Sequence, residues 1–290
     1  MISPPKYLLE RWVRIIENRL ACVKTSRMGV EENIIALIAR YGHAGHMIRR
    51  MHVLGLVSTL IAENRREGES WQILDAGCGW GDYVFTLTKE FPNIIVSGID
   101  ISPKMYNLCV ARAKSLSRVG NVRFLLGSIT ELPVEEEYDI AYMVDTLEHI
   151  KDDAMALATI HRGLRANGWL VLHVPSTPRE NIFHITSKWD SFRDREHALD
   201  GYQPLALCNK LKHTGFQILR CERTFAKYAG GLAWEINTIL INSYATAPLA
   251  LCLIPLYWLL GRIDVLRRGS IKNGRGILIV ARKDNSNQAH

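Results

Sequence analysis

The chain contains no C-x-x-C pair: its six cysteines, Cys22, Cys78, Cys109, Cys208, Cys221 and Cys252, lie scattered over 290 residues. That scatter disfavours a zinc finger, a dithiol redox motif and a secreted disulfide framework, and it fits a reducing, cytoplasmic setting. An uninterrupted apolar opening is missing as well. Lys6, Glu10, Arg11 and Arg14 break up "MISPPKYLLERWVRIIENRL", which therefore reads as amphipathic helix rather than as a secretory signal. There is no internal repeat and no long low-complexity segment. Charge of one sign is scarce too: the formal charge of +7 is modest for this length, and the basic residues form no stripe interleaved with aromatics, so nucleic acid is not the expected partner.

What is present changes character at Trp71. From Pro5 to about Arg66 apolar residues recur at helical spacing (Tyr7, Leu8, Trp12, Ile15 and Ile16, then Ile34, Ile35, Leu37 and Ile38), which predicts an N-terminal helical cap over 1–70. Beyond the turn-like "EGES", short apolar runs alternate with helical stretches. The runs "QILDAG", "IIVSGID", "VRFLLG", "YDIAYMV", "GWLVLHVP", "GFQILR" and "GILIVARK" are the predicted strands. Helices are predicted near 83–91, 103–117, 152–164 and 204–214. Strands that are apolar throughout are buried on both faces, so the pattern implies an α/β, doubly wound, Rossmann-like fold over 71–290, with a mostly parallel seven-stranded sheet.

The stretch "LDAGCGWGDY", Leu74 to Tyr83, places three glycines at alternate positions between a strand and a helix. Such a turn brings bare backbone N–H groups to the carboxyl edge of the sheet, where ligands of doubly wound folds bind. Asp100, nineteen residues past Gly81, ends the next strand where a carboxylate can accept from a ribose diol. A nucleoside is therefore expected. The spacing is G-x-G-x-G, not the G-x-G-x-x-G that receives a pyrophosphate, and Asp75 just before it would repel phosphate but attract an ammonium group.

At this point the sequence resembles the class I SAM-dependent methyltransferases. "LDAGCGWG" is similar to their D/E-x-G-x-G-x-G loop, Asp100 to the acid ending their second strand, "YDIAYMVDTLEHI" to their fourth-strand motif and "LRANGWLVLHVPS" to their L-K-P-G-G-x-L signature. The resemblance covers about Trp71 to Arg220 and resumes at the last strand, and the small-molecule group that includes quinone and lipid biosynthesis enzymes is the nearest in look. It implies S-adenosyl-L-methionine as cofactor, contacted by Asp75, Gly77, Cys78, Gly79, Gly81, Asp100, Ile101, Ser128, Ile129 and Asp145. Ser128 departs from the family pattern, standing where an acid often contacts the adenine amine, and Asn167 replaces the first of two glycines. Methyl transfer itself needs alignment and exclusion of water. If the acceptor is a hydroxyl or phenol, a base must take its proton, and the candidates are Asp145, His149 and His197, with Glu148 beside them. Each also has a bland reading as a cap, a buttress or a cofactor contact. His43, His46 and His52 lack the further ligands a metal site requires and read as a polar helix face or a substrate lid. Trp80 reads as wall packing.

Between "GFQILR" and "GILIVARK" lies one more absence: Ile236 to Gly261 carries no charged residue and is followed by Arg262, Arg267, Arg268, Lys272 and Arg275. In the resembled fold the flanking strands share a sheet, so the chain must return to the side it left, and Pro248 and Pro255 interrupt a single span. Two readings remain open for this hydrophobic helical insertion, set at about 225–272. It dips into one leaflet as a peripheral membrane contact, or it forms a homodimer face or a lid over a greasy pocket. The expected function is methyl transfer to a small, hydrophobic or lipid-linked acceptor, O- or C-methylation ahead of N-. The alternatives are a nucleic-acid methyltransferase, which lacks an N-P-P-Y-like motif here, an NAD-dependent oxidoreductase, which should show the wider glycine spacing, and a non-catalytic SAM-binding protein.

Overall fold

The computed structural model describes residues 43–65, 69–116, 120–133, 135–183, 198–241 and 246–284. The amphipathic opening segment and His197 lie outside the described residues. Seven strands form one sheet in the order β3-β2-β1-β4-β5-β7-β6. They are β1 (Trp71–Ala76), β2 (Ile94–Asp100), β3 (Val122–Leu126), β4 (Tyr138–Val144), β5 (Leu164–Pro175), β6 (Phe216–Ala226) and β7 (Gly274–Lys283). All neighbouring pairs are parallel except those made by β7, which runs antiparallel to both β5 and β6. The chain moves from β1 outward to β3 and then returns to β4 on the other side of β1. This reversal opens a crevice at the carboxyl ends of β1 and β4.

The strands alternate between two cores, as a period of two requires. Leu74, Ala141, Met143, Leu170, Leu172 and Ile279 face one core, which is closed by α4 (Asp153–Gly163) and α5 (Pro204–His213). Ile73, Ile140, Tyr142, Val171, Leu278 and Val280 face the other, closed by α1 (Ala44–Asn64), α2 (Asp82–Glu90) and α3 (Pro103–Ser115). The helices begin where local chemistry permits. Ser102 Oγ accepts from Met105 N at 3.5 Å with Pro103 in the first turn, and Asp152 Oδ1 accepts from Met155 N at 2.9 Å.

The uncharged segment contributes to three helices: α6 (Gly230–Ile241), α7 (Ala247–Cys252) and α8 (Ile254–Arg267). Among the described residues no helix is long and apolar enough to cross a membrane. α8 packs on α1 and α6, and a third apolar cluster joins Ile48, Phe225, Ala233, Trp234 and Tyr257 beneath them. Leu249, Leu256, Leu259 and Leu266 stay exposed.

A single carboxylate organises this region. Asp264, on α8 and 0% exposed, accepts from His52 Nε2 at 2.8 Å, from the backbone N–H of Phe225 and Ala226 at 2.7 Å each, and from Gly230 N at 3.1 Å. His52 is therefore not part of a polar helix face: it is buried against a partner 212 residues away. Burial holds the His52 imidazole below its ordinary 6.5, with the Asp264 bond opposing the shift, so the neutral form donates through Nε2 and leaves Nδ1 without a hydrogen-bond partner.

Asp264→Ala strands three backbone donors and His52, and is expected to destabilise the fold by about 3–5 kcal/mol in urea denaturation. Because the folded His52 pKa is lowered, its contribution to stability is present above the ordinary 6.5 and is lost as the pH falls below it. The melting temperature should thus drop between pH 7 and pH 5, with a smaller drop in His52→Gln.

Candidate active site

β1 ends in Asp75 and Ala76 and passes straight into the glycine turn. Gly77, Gly79 and Gly81 have φ of +88°, +49° and +72°, values that side chains rarely adopt. Their surroundings differ. A Cβ on Gly77 would lie 2.4 Å from the Thr146 side chain and one on Gly81 2.9 Å from Phe85, whereas one on Gly79 would meet nothing within 4 Å. The outer glycines let the turn pack, and the middle one leaves its backbone bare toward open space.

Asp100 braces this turn from β2. Its Oδ2 accepts from Gly79 N at 2.8 Å and its Oδ1 from Ser102 N at 2.9 Å, which aims both oxygens and leaves each able to accept again. Ile101 follows with 73% of its surface exposed. Across the β2–β3 edge Ser128 caps the short turn Ile129–Glu131, its hydroxyl 2.7 Å from that of Thr130, and Ile129 is buried. Trp80 is 48% exposed.

Asp75 is 3% exposed and pairs in register with Tyr142 of β4. Burial pushes its carboxyl up to about 8, the charges of Asp100 and Asp82 add to the rise, and the Tyr142 hydroxyl opposes it. Neither Asp75 Oδ2 nor the Tyr142 hydroxyl has a partner in good hydrogen-bond geometry. An unsatisfied buried carboxyl of this kind is a costly feature that an arriving cationic donor group would relieve.

The second half of the site begins one residue from Thr146. Asp145 follows β4 at φ +47°, its Oδ1 accepting from His173 Nδ1 at 2.6 Å and its Oδ2 pairing with Arg49 at 2.9 Å. His173 Nε2 lies 3.0 Å from the Thr224 hydroxyl on β6. That contact spans β7, and it fits because β7 carries Gly276 there: a Cβ would sit 2.4 Å from Thr224 Oγ1 and 2.8 Å from His173 Nε2. Arg49, Asp145, His173, Arg179, Trp234 and Arg275 line a small open cleft at this end of the sheet.

The sequence-predicted residues divide between these halves and beyond them. Asp75, Gly77, Cys78, Gly79, Gly81 and Asp100 gather at the β1–β2 edge, with Cys78 buried, and Asp145 bridges to the cleft. His149 is exposed on the turn Leu147–His149 and does not line the cleft. Glu148 is 1% exposed, and burial first and then the Asp145 charge push its carboxyl well above the ordinary range. Sequence reasoning missed His173, Arg49, Arg179, Arg275 and Trp234. Only His173 had a local signal, as the one titratable group inside the apolar run "WLVLHVP". Among the described residues no three His, Cys, Asp or Glu side chains gather to hold a metal ion.

A family model described as a methyltransferase domain matches residues 73–168, from β1 into β5. Residues 73–168 of the chain thus carry a methyltransferase domain. Over 105 residues the chain is 35% identical to trans-aconitate 2-methyltransferase of Deinococcus radiodurans, a match covering 36% of this chain and 38% of that protein. It is 27% identical to a ubiquinone/menaquinone biosynthesis C-methyltransferase of Citrifermentans bemidjiense over 39% of this chain and 49% of the relative. The match thus spans half or less of the length of either curated relative. In fold, the chain is similar to phosphoethanolamine N-methyltransferase 2 of Haemonchus contortus, solved with S-adenosyl-L-methionine, at a TM-score of 0.56 and 18% identity, covering 79% of this chain and 52% of that one.

Within the methyltransferase domain, Gly79→Ala separates ligand contact from folding, because the added methyl touches nothing in the chain itself. It should lower affinity for S-adenosylhomocysteine at least ~10-fold by titration calorimetry, while costing only about 1–2 kcal/mol of stability for the left-handed backbone. Gly77→Ala, which collides with Thr146, is expected to lose stability as well.

Proposed function

We propose that the protein transfers a methyl group from S-adenosyl-L-methionine to a small acceptor held in the Asp145 cleft. The observation that carries this reading is the contact between the two halves: Thr146 packs on Gly77 of the donor turn, and its neighbour Asp145 lines the cleft. The residues fit the cofactor. Gly79 leaves room for close approach, the oriented Asp100 oxygens suit a ribose diol, and the unpartnered Asp75 oxygen suits an ammonium group. When bound, the cofactor supplies an electrophilic methyl group on a cationic sulfur.

The chain's own contribution is alignment and proton handling. Holding two reactants about 3 Å apart in line is worth roughly 7–11 kcal/mol. Trp234 and Phe225 offer apolar walls for the acceptor and for exclusion of water. For a hydroxyl or an acidic carbon acceptor, Asp145 is the candidate base, oriented by His173 Nδ1 and the Arg49 guanidinium. This favours O- or C-methylation.

The exposed leucines of α7 and α8 support a second element of the reading, a peripheral contact at the cytoplasmic face of an anionic membrane. Leu256, Leu259 and Leu266 share α8 with exposed Arg262 and Arg267, a pairing suited to lipid headgroups over acyl chains. Vesicles rich in phosphatidylglycerol should sediment the protein and phosphatidylcholine vesicles should not. A dimer in solution with no vesicle binding would assign the same leucines to a second copy.

Calorimetry with S-adenosylhomocysteine and transfer of labelled methyl to a cell extract test the main reading; no binding by folded protein would sink it. The pH dependence is specific. Asp75 sits at about 8 in the free protein and must be ionised to hold an ammonium group, so affinity should rise as pH goes from 6 to 8, by up to ~10-fold per unit, and Asp75→Asn should flatten the rise.

A further inference from the structure

Three buried oxygens beside the glycine turn have no hydrogen-bond partner in good geometry. They are Asp75 Oδ2 on β1 and the hydroxyls of Tyr142 on β4 and Tyr83 on α2. The three residues are 3%, 0% and 7% exposed. Asp75 and Tyr142 stand opposite each other in register, and the Tyr83 and Tyr142 rings lie 6.0 Å apart, which makes them one cluster between two strands and the helix that follows the turn. A phenylalanine at either tyrosine position would fill nearly the same space without burying a hydroxyl. An unpaired polar group in the interior costs free energy that packing alone does not require, so the cluster calls for a partner from outside the chain.

Its chemistry selects a cation. An ionised carboxylate only accepts and a tyrosine oxygen can accept as well as donate, so the three oxygens match the three N–H bonds of an ammonium group. The charges that bear on Asp75 are those of Asp100 and Asp82, both negative, and they oppose an anion there. Its place is equally specific, because Asp75 runs through Ala76 directly into Gly77, the first residue of the donor turn. The oxygens have no surface open to water, and His46 of α1 stands edge-on to the Tyr83 ring at 6.1 Å, so side chains over the cluster must shift to admit the group.

We infer that Tyr142 and Tyr83 complete, with Asp75, the seat of the ammonium group at the amino-acid end of the methyl donor, and that their hydroxyls set the preference for a donor that has this end over a nucleoside that lacks it. The inference deepens the methyl-transfer reading and rests on it for the identity of the donor. Neither tyrosine belongs to the glycine spacing or to the acid one strand later. Tyr83 closes "LDAGCGWGDY" and Tyr142 closes "YDIAY", and each reads in the sequence as an ordinary core position.

The test is titration calorimetry of the full-length protein with S-adenosylhomocysteine and with methylthioadenosine, which keeps the nucleoside and the sulfur but lacks the amino-acid end. Wild type should bind S-adenosylhomocysteine the more tightly of the two. Tyr142→Phe and Tyr83→Phe should each cut that preference by at least ~10-fold, the scale of a hydrogen bond to a charged group, and leave methylthioadenosine affinity unchanged. The free variants should melt no lower than wild type, because the hydroxyl removed has no partner within the chain. In an Asp75→Asn background Tyr142→Phe should cost less than it does in wild type, as contacts to one shared group do. Phenylalanine variants that keep the full preference, or that melt early and weaken both ligands alike, would overturn the role of the tyrosines while leaving the donor reading intact. Folded wild type that binds neither compound would instead remove the donor reading itself, and the inference with it.

Discussion

The cleft stands on one buried carboxylate. Asp264 draws α1, the end of β6 and the start of α6 onto α8 through bonds of 2.7 to 3.1 Å in a region closed to solvent. In a low-dielectric interior a charge survives only when donors surround it, so the four groups it binds are held as firmly as it is. Phe225, whose N–H is one of them, is locked at φ +58°, which turns its ring into the cleft. His52 carries α1, and with it Arg49, to the same place. Removed from this anchor, the cleft would keep its floor on the sheet and lose two of its walls.

The floor follows from the sheet. Reversal of strand order at β1 leaves the glycine turn and Asp145 at adjacent strand ends, and Thr146 filling the space above Gly77 makes them one surface. Donor and acceptor sites therefore share a rigid boundary. Alignment of two reactants depends on such a boundary, because a shift of a fraction of an ångström at either side would open the reacting distance.

The donor half was legible because its parts are local: a glycine turn between a strand and a helix, and an acid one βαβ unit later, are set by spacing along the chain. The acceptor half was not. His173 and Thr224 meet only through the register of two strands against β7 and the missing side chain at Gly276, none of which periodicity can show. Arg49, Arg179 and Arg275 come from three distant segments, and each reads alone as an ordinary surface charge. His52 was misassigned because helical spacing says which face a residue occupies but not what meets it there. Its partner lies just past the end of the uncharged run, whose lack of charge suggests a surface for lipid, a second copy or a lid but does not show which buried carboxylate anchors it.

The position of β7 has a consequence for how the molecule comes into being. It is the last of the described strands in sequence, yet it lies between β5 and β6 and runs against both. Until it slides into that gap, β6 has no neighbour in the sheet, and the imidazole–hydroxyl contact across Gly276 has no frame. A nascent chain emerging from the ribosome can thus assemble its donor turn early, while the chamber for the second substrate waits for a late, long-range insertion event.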